Sequence, residues 1–345
     1  MKKMMVLVCM LVLTIIIAGC SEKSNESNVS SSAPEAQTSA VDTAKSEPIE
    51  KPVSDFPTKR ITMVIPYAPG GSNDTFGRII AKTAEKYLGQ TIVIENKEGG
   101  AASIGANAVA KSAPDGHTLF FSTTSPLVLF TQTEAAQYKH TDFKAIARAT
   151  IIPQVLFVHA DSPYTTFEEW LEFVKQNPGK FSIGITGIGN TTHLAIEALQ
   201  KAEQVQTKLV PYSGGAEQLV AVLGGHVDGM VSSPFNVDMT NLRALVNFGH
   251  SKGMYTDIPT LQEKGIDVSV DTPIGIYAPA GVPEDVLAIL TDAFDKAIND
   301  QEVIDQFIKM KFSVNFANHE VFEKEISDAF EIYGKLLNDI GLAKK

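Results

Sequence analysis

From Phe56 to the C-terminus the chain alternates between two hydrophobic periodicities, and that alternation restricts the fold more than any other feature. "ITMVIPYA", "TIVIEN", "HTLFFSTT", "FSIGITG" and "TKLVPY" are short apolar runs with the look of strands. Between them, "DTFGRIIAKTAEKYLG", "AASIGANAVAKSA", "FEEWLEFVKQNPGK", "TTHLAIEALQKAE" and "AEQLVAVLGGH" carry helical spacing, the first closed by Gly89 and the third by Pro178 and Gly179. Short strands alternating with amphipathic helices predict α/β domains with largely parallel sheets. The segment after Pro283 is mainly helical. A length of 345 residues suggests two domains at about 150 residues each. "PQVLFVHADSPYTT" and "TPIGIYAPAGVPED" join an extended apolar run to Pro-containing turns, as a pair of hinge strands between domains would.

Where strand runs into helix, the connecting turns share a grammar. "YAPGGSND" (Tyr67–Asp74) ends the first strand in Pro-Gly-Gly and then offers Ser72, Asn73 and Asp74, all residue types that cap helices. Gly70 and Gly71 let the backbone turn sharply and approach a ligand without a Cβ in the way. The first N–H groups of a helix have no intrahelical acceptor and carry partial positive charge, which suits a carboxylate or phosphate. Such a turn is as readily a plain strand–helix connection. A second copy, however, stands in "FSIGITGIGNTTHL", where Gly187 and Gly189 open the turn and Asn190, Thr191 and Thr192 start the helix. In open α/β sheets ligands bind beyond the C-terminal strand ends, where both turns fall. "LVPYSGGAEQ" places Gly214 and Gly215 in a third turn, with Tyr212 and Ser213 at its mouth. Asp74 is expected to cap, or to accept from a ligand hydroxyl, amine or water, because a carboxylate repels a like charge.

The N-terminus carries an export signal. Lys2 and Lys3 precede an apolar stretch, Met4–Ile17, too short to span a bilayer as a mature helix. "IAGC" closes it, and small residues before Cys20 resemble the lipobox of bacterial lipoproteins. Residues 1–19 are therefore read as a signal peptide and Cys20 as the lipidated first mature residue. The other cysteine, Cys9, lies in the leader, so the mature chain has none left for an intramolecular disulfide. Residues 20–55, rich in Ser, Glu, Ala and Pro, lack apolar periodicity and read as a disordered tether.

A formal charge of −11 disfavours nucleic acid and anionic membrane surfaces as partners. The sequence has no phosphate loop of the G-x-x-x-x-G-K-[ST] type, no H-E-x-x-H and no G-x-S-x-G, and its seven histidines are scattered. No metal site or cofactor is expected. His193, at a helix start, reads as packing or hydrogen bonding rather than as a general base.

Six ordered motifs, from "FPTKRITMVIPYAPGGSNDTFGRIIA" through "IVIENKEGGAASIGANAVAKSAPDGHTL", "PGKFSIGITGIGNTTHLAIEAL", "LVPYSGGAEQLVAVLGGHVDGM" and "LRALVNFGHSKGMYTDIPTLQEKG" to "GIYAPAGVPEDVLAIL", resemble the extracytoplasmic solute receptors of tripartite tricarboxylate transporters, the Bug receptors. The resemblance implies a two-lobed periplasmic-binding-protein fold of type II, with two Rossmann-like lobes joined by hinge strands. The lobes are expected at 56–157 with 275–345, and at 158–274. It implies a non-enzymatic monomer that closes on a small organic carboxylate and hands it to one large and one small integral membrane subunit, while held at the outer membrane face by lipid alone. The gripping turns would be Pro69–Asp74, with Tyr67 beside them, and Gly187–Thr192. Ser122, Thr123 and Thr124 would line the cleft with Tyr212 and Ser213. Glu98 and His117 depart from the family's usual residues, outside those turns. Two other functions remain open: a ligand-presenting partner of a membrane histidine kinase, and an enzyme on this scaffold using Ser72 or Thr191.

Overall fold

Each strand-like run of the sequence leads through a turn into the helix that follows it. The computed structural model describes residues 55–132, 136–235, 237 and 239–344; the expected signal peptide, Cys20 and the tether lie outside the described residues. The elements are β1 (Ile61–Ile65), α1 (Ser72–Leu88), β2 (Ile92–Asn96), α2 (Ser103–Ala110), β3 (Thr118–Thr123), α3 (Ser125–Val128), β4 (Phe143–Ile152), β5 (Val155–His159), α4 (Phe167–Gln176) and β6 (Ser182–Ile185). They continue with α5 (Thr191–Glu203), β7 (Lys208–Pro211), α6 (Gly215–Leu223), β8 (Gly229–Ser232), β9 (Leu242–Asn247), β10 (Thr272–Pro279), α7 (Glu284–Ile298), α8 (Gln301–Lys309) and α9 (His319–Asp339).

Two five-stranded sheets result, ordered β2-β1-β3-β10-β4 and β7-β6-β8-β5-β9. In the first, β1 pairs parallel with β2 and β3, while β10 runs antiparallel to both β3 and β4. The second repeats the plan: β6 is parallel to β7 and β8, and β5 is antiparallel to β8 and β9. Four strands of each sheet therefore point one way. The fifth, β10 or β5, is the strand that has just arrived from the other half of the chain, and it runs against them.

That reversal fixes how the sheets face. The chain leaves β4 at its C-terminal end, crosses through Pro153 and Gln154, and enters β5; it returns after β9 and enters β10. The crossings lie side by side, with Phe248 N–H donating to Gln154 C=O at 2.8 Å and Val270 N–H to Phe248 C=O at 2.9 Å. Both start and end at the edge where the parallel strands stop, so the C-terminal strand edges of the two sheets oppose each other. A direct contact agrees. Phe235, just after β8, packs against Phe76 of α1 at a centroid distance of 6.3 Å and against Phe312 at 4.8 Å.

The helices form for reasons visible in their residues. α1 buries Phe76, Ile80, Ala81, Ala84 and Leu88 on one stripe and stops at Gly89, whose φ of 67° needs no Cβ penalty and whose N–H bonds Glu85 C=O. α4 starts on a capping box, Thr166 with Glu169. Phe76 is fully buried and stacks on Phe307 at 4.6 Å, which ties α1 to α8. Burying such a ring stabilises by roughly 1.5–3 kcal/mol. α9 docks on the first sheet, where Glu323 accepts the Ala145 N–H at 2.9 Å, and reaches the second through a Lys201–Asp339 ion pair with α5. Tyr333 of α9 donates to Asp271 C=O at a crossing, 3.1 Å away.

β4 does not stand out in the sequence, because Lys144 and Arg148 interrupt "FKAIARATII". Arg148 is buried yet satisfied: its Nη1 meets Glu325 at 2.6 Å, and Nε and Nη2 donate to Asn315 O and Oδ1 at 3.0 and 2.7 Å. α1 likewise begins at Ser72, earlier than the expected start at Asp74, since Asp74 folds back from inside the first turn instead of capping from outside it.

Candidate functional site

At the edge of the first sheet, the turn after β1 is held from beneath by one carboxylate. Asp74, only 2% exposed, accepts from the Gly70 N–H at 2.9 Å, Arg78 Nε at 2.8 Å and Asn96 Nδ2 at 2.8 Å. Asn96 also donates to Tyr67 C=O at 2.9 Å and accepts from Arg78 Nη2 at 3.0 Å. Burial opposes ionisation of Asp74, but the Arg78, Gly70 and Asn96 hydrogen bonds outweigh it and hold the carboxyl below its ordinary value. Gly70 sits at φ +83°, and this bend lets its N–H reach back to Asp74. The expected role of Asp74 toward a ligand thus meets a side chain already occupied by three protein donors.

What remains above the brace is backbone. The Gly71 N–H bonds Ala68 C=O at 3.2 Å, whereas the N–H groups of Ser72, Asn73 and Asp74 find no acceptor among the described residues. The Asn73 Oδ1 is buried without a partner. Beside the turn, the Tyr67 hydroxyl meets Thr123 Oγ1 at 2.8 Å and Ser122 Oγ at 3.2 Å, and burial raises the phenol. Ser122, Thr123 and Thr124 are all buried, and the Thr124 hydroxyl has no partner.

The second sheet presents a matching construction. After β6, Gly187 and Gly189 take φ of +110° and +79°, and Asn190 caps α5 by accepting the His193 N–H at 3.1 Å. Asn190 Nδ2 holds Thr186 through its Oγ1 at 2.8 Å and through its carbonyl. The Thr192 hydroxyl accepts the Thr186 N–H at 3.0 Å. Asn190 and Thr192 thus spend their side chains within the turn. His193 Nδ1 accepts the Gly189 N–H at 3.0 Å, as Asp74 accepts from Gly70. The N–H groups of Thr191 and Thr192 and the Thr191 hydroxyl have no acceptor or partner among the described residues.

The third turn repeats the device, with Ser213 N–H donating to Glu217 of α6 at 3.1 Å; the Ser213 hydroxyl and then this N–H hold that carboxyl below its ordinary value. The Tyr212 ring lies against Gly184 of β6, where an added Cβ would stand 3.2 Å from a ring carbon. Arg78, Asn96 and Phe235 escaped the sequence reading. A basic residue four positions after Asp74 on one helix was the available signal for Arg78; Asn96 and Phe235 come from distant segments and gave none.

Among the described residues no group of three His, Cys, Asp or Glu side chains is placed to hold a metal ion. A cavity of about 650 Å³ lies at the opposite edge of the second sheet, lined by Tyr164, Lys180, Phe181 and Asp228, away from the turns. The usable chemistry at the facing edges therefore includes the N-termini of α1 and α5, which present free backbone donors and small hydroxyls, a pattern fitted to an anion.

Comparison with known proteins points the same way. Residues 76–342 match the family model TctC, the tripartite tricarboxylate transporter family receptor. The chain is 31% identical to the "UPF0065 protein in gbd 5′ region" of Cupriavidus necator, over 86% of this chain and 92% of that one. It is 27% identical to protein BugT of Bordetella pertussis, over 86% and 94%. Among solved structures, a ligand-free TctC solute binding protein from Polaromonas superposes with TM-score 0.73 at 28% identity, covering 82% of this chain and 99% of that one. MatC from Rhodopseudomonas palustris with bound malate superposes with TM-score 0.69 at 26% identity, covering 82% and 100%.

Proposed function

The chain belongs to the tripartite tricarboxylate transporter receptor family, and on that premise we propose that it is a lipid-anchored extracytoplasmic receptor that captures a small organic carboxylate and delivers it to the membrane subunits of such a transporter. The observation that carries the reading is the pairing of α1 and α5: each brings unpaired N–H groups to one of two opposed sheet edges. Ser72, Asn73 and Asp74 would donate from one side, and Thr191 and Thr192 from the other, with the Ser72 and Thr191 hydroxyls beside them. Gly70, Gly71, Gly187, Gly189 and Asn190 shape the turns. Tyr67, Ser122, Thr123, Thr124, Tyr212 and Ser213 form the walls. The lobes of this receptor are the two sheets with their helices, hinged at Pro153–Gln154 and around Asp271.

Each helix end contributes on the order of 0.3–1 kcal/mol to a bound anion, in addition to its hydrogen bonds. A ligand touching both edges favours the state in which they close, by as much as it binds that state better. Anchoring is assigned to Cys20 from the small residues of "IAGC" that end the apolar leader. Malate, bound by the MatC relative, is a first candidate ligand. The test is a thermal-shift screen of organic acids against the mature chain. A ligand at 100 times its dissociation constant adds about 2.7 kcal/mol to folded stability. Stabilisation by one or a few acids, without chemical conversion, supports the receptor; turnover of the acid, or no stabilisation by any, contradicts it.

A further inference from the structure

Three turns at the facing edges use one device, and one of them uses a different chemical group. In each, the third residue of the helix reaches back to the N–H just ahead of the N-cap: Asp74 to Gly70 at 2.9 Å, Glu217 to Ser213 at 3.1 Å, His193 to Gly189 at 3.0 Å. Two of these acceptors are carboxylates. The third is an imidazole nitrogen, which accepts only while it carries no proton. With Nδ1 accepting, the ring proton sits on Nε2, which faces Glu197 Oε1 at 3.5 Å. His193 is 7% exposed, so water does not readily replace a lost partner.

We propose that His193 positions the Gly187–Asn190 turn and makes its half of the carboxylate cradle sensitive to pH, while Asp74 holds the other half throughout the same range; this rests on the proposed receptor function. Imidazoles change protonation between pH 5 and 8, where carboxylates stay charged. Protonation would set an Nδ1–H against the Gly189 N–H, two donors at hydrogen-bond distance, and the turn must rotate away. Gly189 at φ +79° is a natural pivot. Glu197, on the same helix, is the titratable group at ion-pair distance among the described residues. The strand packed on α5, β8, reads Gly-Met-Val-Ser, and neighbouring β6 reads Ser-Ile-Gly-Ile, so neither brings a charge. α9 meets α5 through Lys201, about two turns further along. Protonation of His193 is therefore answered by Glu197 and by the loss of the Gly189 bond.

The experiment is a pH titration of ¹⁵N-labelled mature protein from pH 8 to 5, following the imidazole of His193 and the amide of Gly189, with His193→Asn beside it. The Asn Oδ1 falls near the place of Nδ1 and accepts at every pH. We expect the Nε2–H tautomer at pH 8, a Gly189 amide that shifts with the same midpoint as the imidazole, and a Gly189 amide in H193N that does not titrate. In parallel, malate affinity should fall as the imidazolium forms, by at most about tenfold per pH unit and levelling off because the half held by Asp74 remains, and change less than about twofold in H193N. A Gly189 amide indifferent to His193, the Nδ1–H tautomer at pH 8, or the same pH loss in H193N overturns the proposal. No malate binding at pH 8 counts against malate as ligand of the proposed receptor, and the amide titration still decides the role of His193.

Discussion

Replacing Asp74 by Asn tests whether the turn after β1 is held from below. The change is nearly isosteric, yet it exchanges one acceptor oxygen for an NH₂ donor. Three donors converge on the two oxygens: Gly70 N–H and Arg78 Nε on Oδ2, and Asn96 Nδ2 on Oδ1. Whichever way the new amide turns, its NH₂ faces at least one of them. Asn96 cannot flip to help without losing its bonds to Tyr67 C=O and from Arg78. A buried donor left unsatisfied costs about 1–3 kcal/mol. The lost charge assistance from Arg78 adds only about 1 kcal/mol, because Arg78 is half-exposed. D74N should therefore destabilise by about 2–4 kcal/mol, read from urea unfolding at pH 7 by circular dichroism. The wild type should also lose the difference in acid. Asp74 titrates below its ordinary 3.8 in the folded chain, so its contribution is complete above that value and drains as the pH falls through the folded-state one. D74N within about 0.5 kcal/mol of wild type, at pH 7, would refute the brace.

Ser72→Phe should abolish the thermal shift given by any stabilising organic acid while leaving the unliganded melting temperature within a few degrees, and Thr191→Phe should abolish it with a lower melting temperature, because Thr191 is buried; an intact shift removes these residues from the site. Gly275→Ala should cost more than about 2 kcal/mol, seen as a lower urea midpoint, because the new Cβ would stand 2.6 Å from Ala147 O and run into the Phe322 ring opposite a bulge in β4. Cys20→Ala should move the protein from the membrane fraction to the soluble extracytoplasmic fraction in cells; retention in the membrane contradicts lipid anchoring.

How much of this was legible in the sequence depends on the range of the interaction. The strand–turn–helix units, the stop at Gly89 and the start of α5 at Thr191 follow from local spacing, capping and glycine chemistry. The apolar runs expected as hinge strands were visible, and they form β5 and β10, the first strand after each crossing. The antiparallel course of β5 and β10 was not, since alternation of elements says nothing of strand direction. β4 stayed hidden because Arg148 breaks its pattern, and only Glu325 and Asn315, more than 160 positions away, explain how that charge is buried. The candidate turns were legible, but the division of labour inside them was not. Residues chosen for polar side chains, Asp74, Asn190 and Thr192, spend those side chains holding the turns, and what faces outward is backbone, which every residue carries and no sequence displays.

The most direct measurement is an amide chemical-shift titration of the mature protein with the organic acid that stabilises it most. The amides of Ser72, Asn73 and Asp74 and those of Thr191 and Thr192 should move together and saturate at one acid per chain. Saturable shifts confined to one of the two helix ends, or gathered around Tyr164, Lys180 and Asp228 at the far edge of the second sheet, would contradict the account.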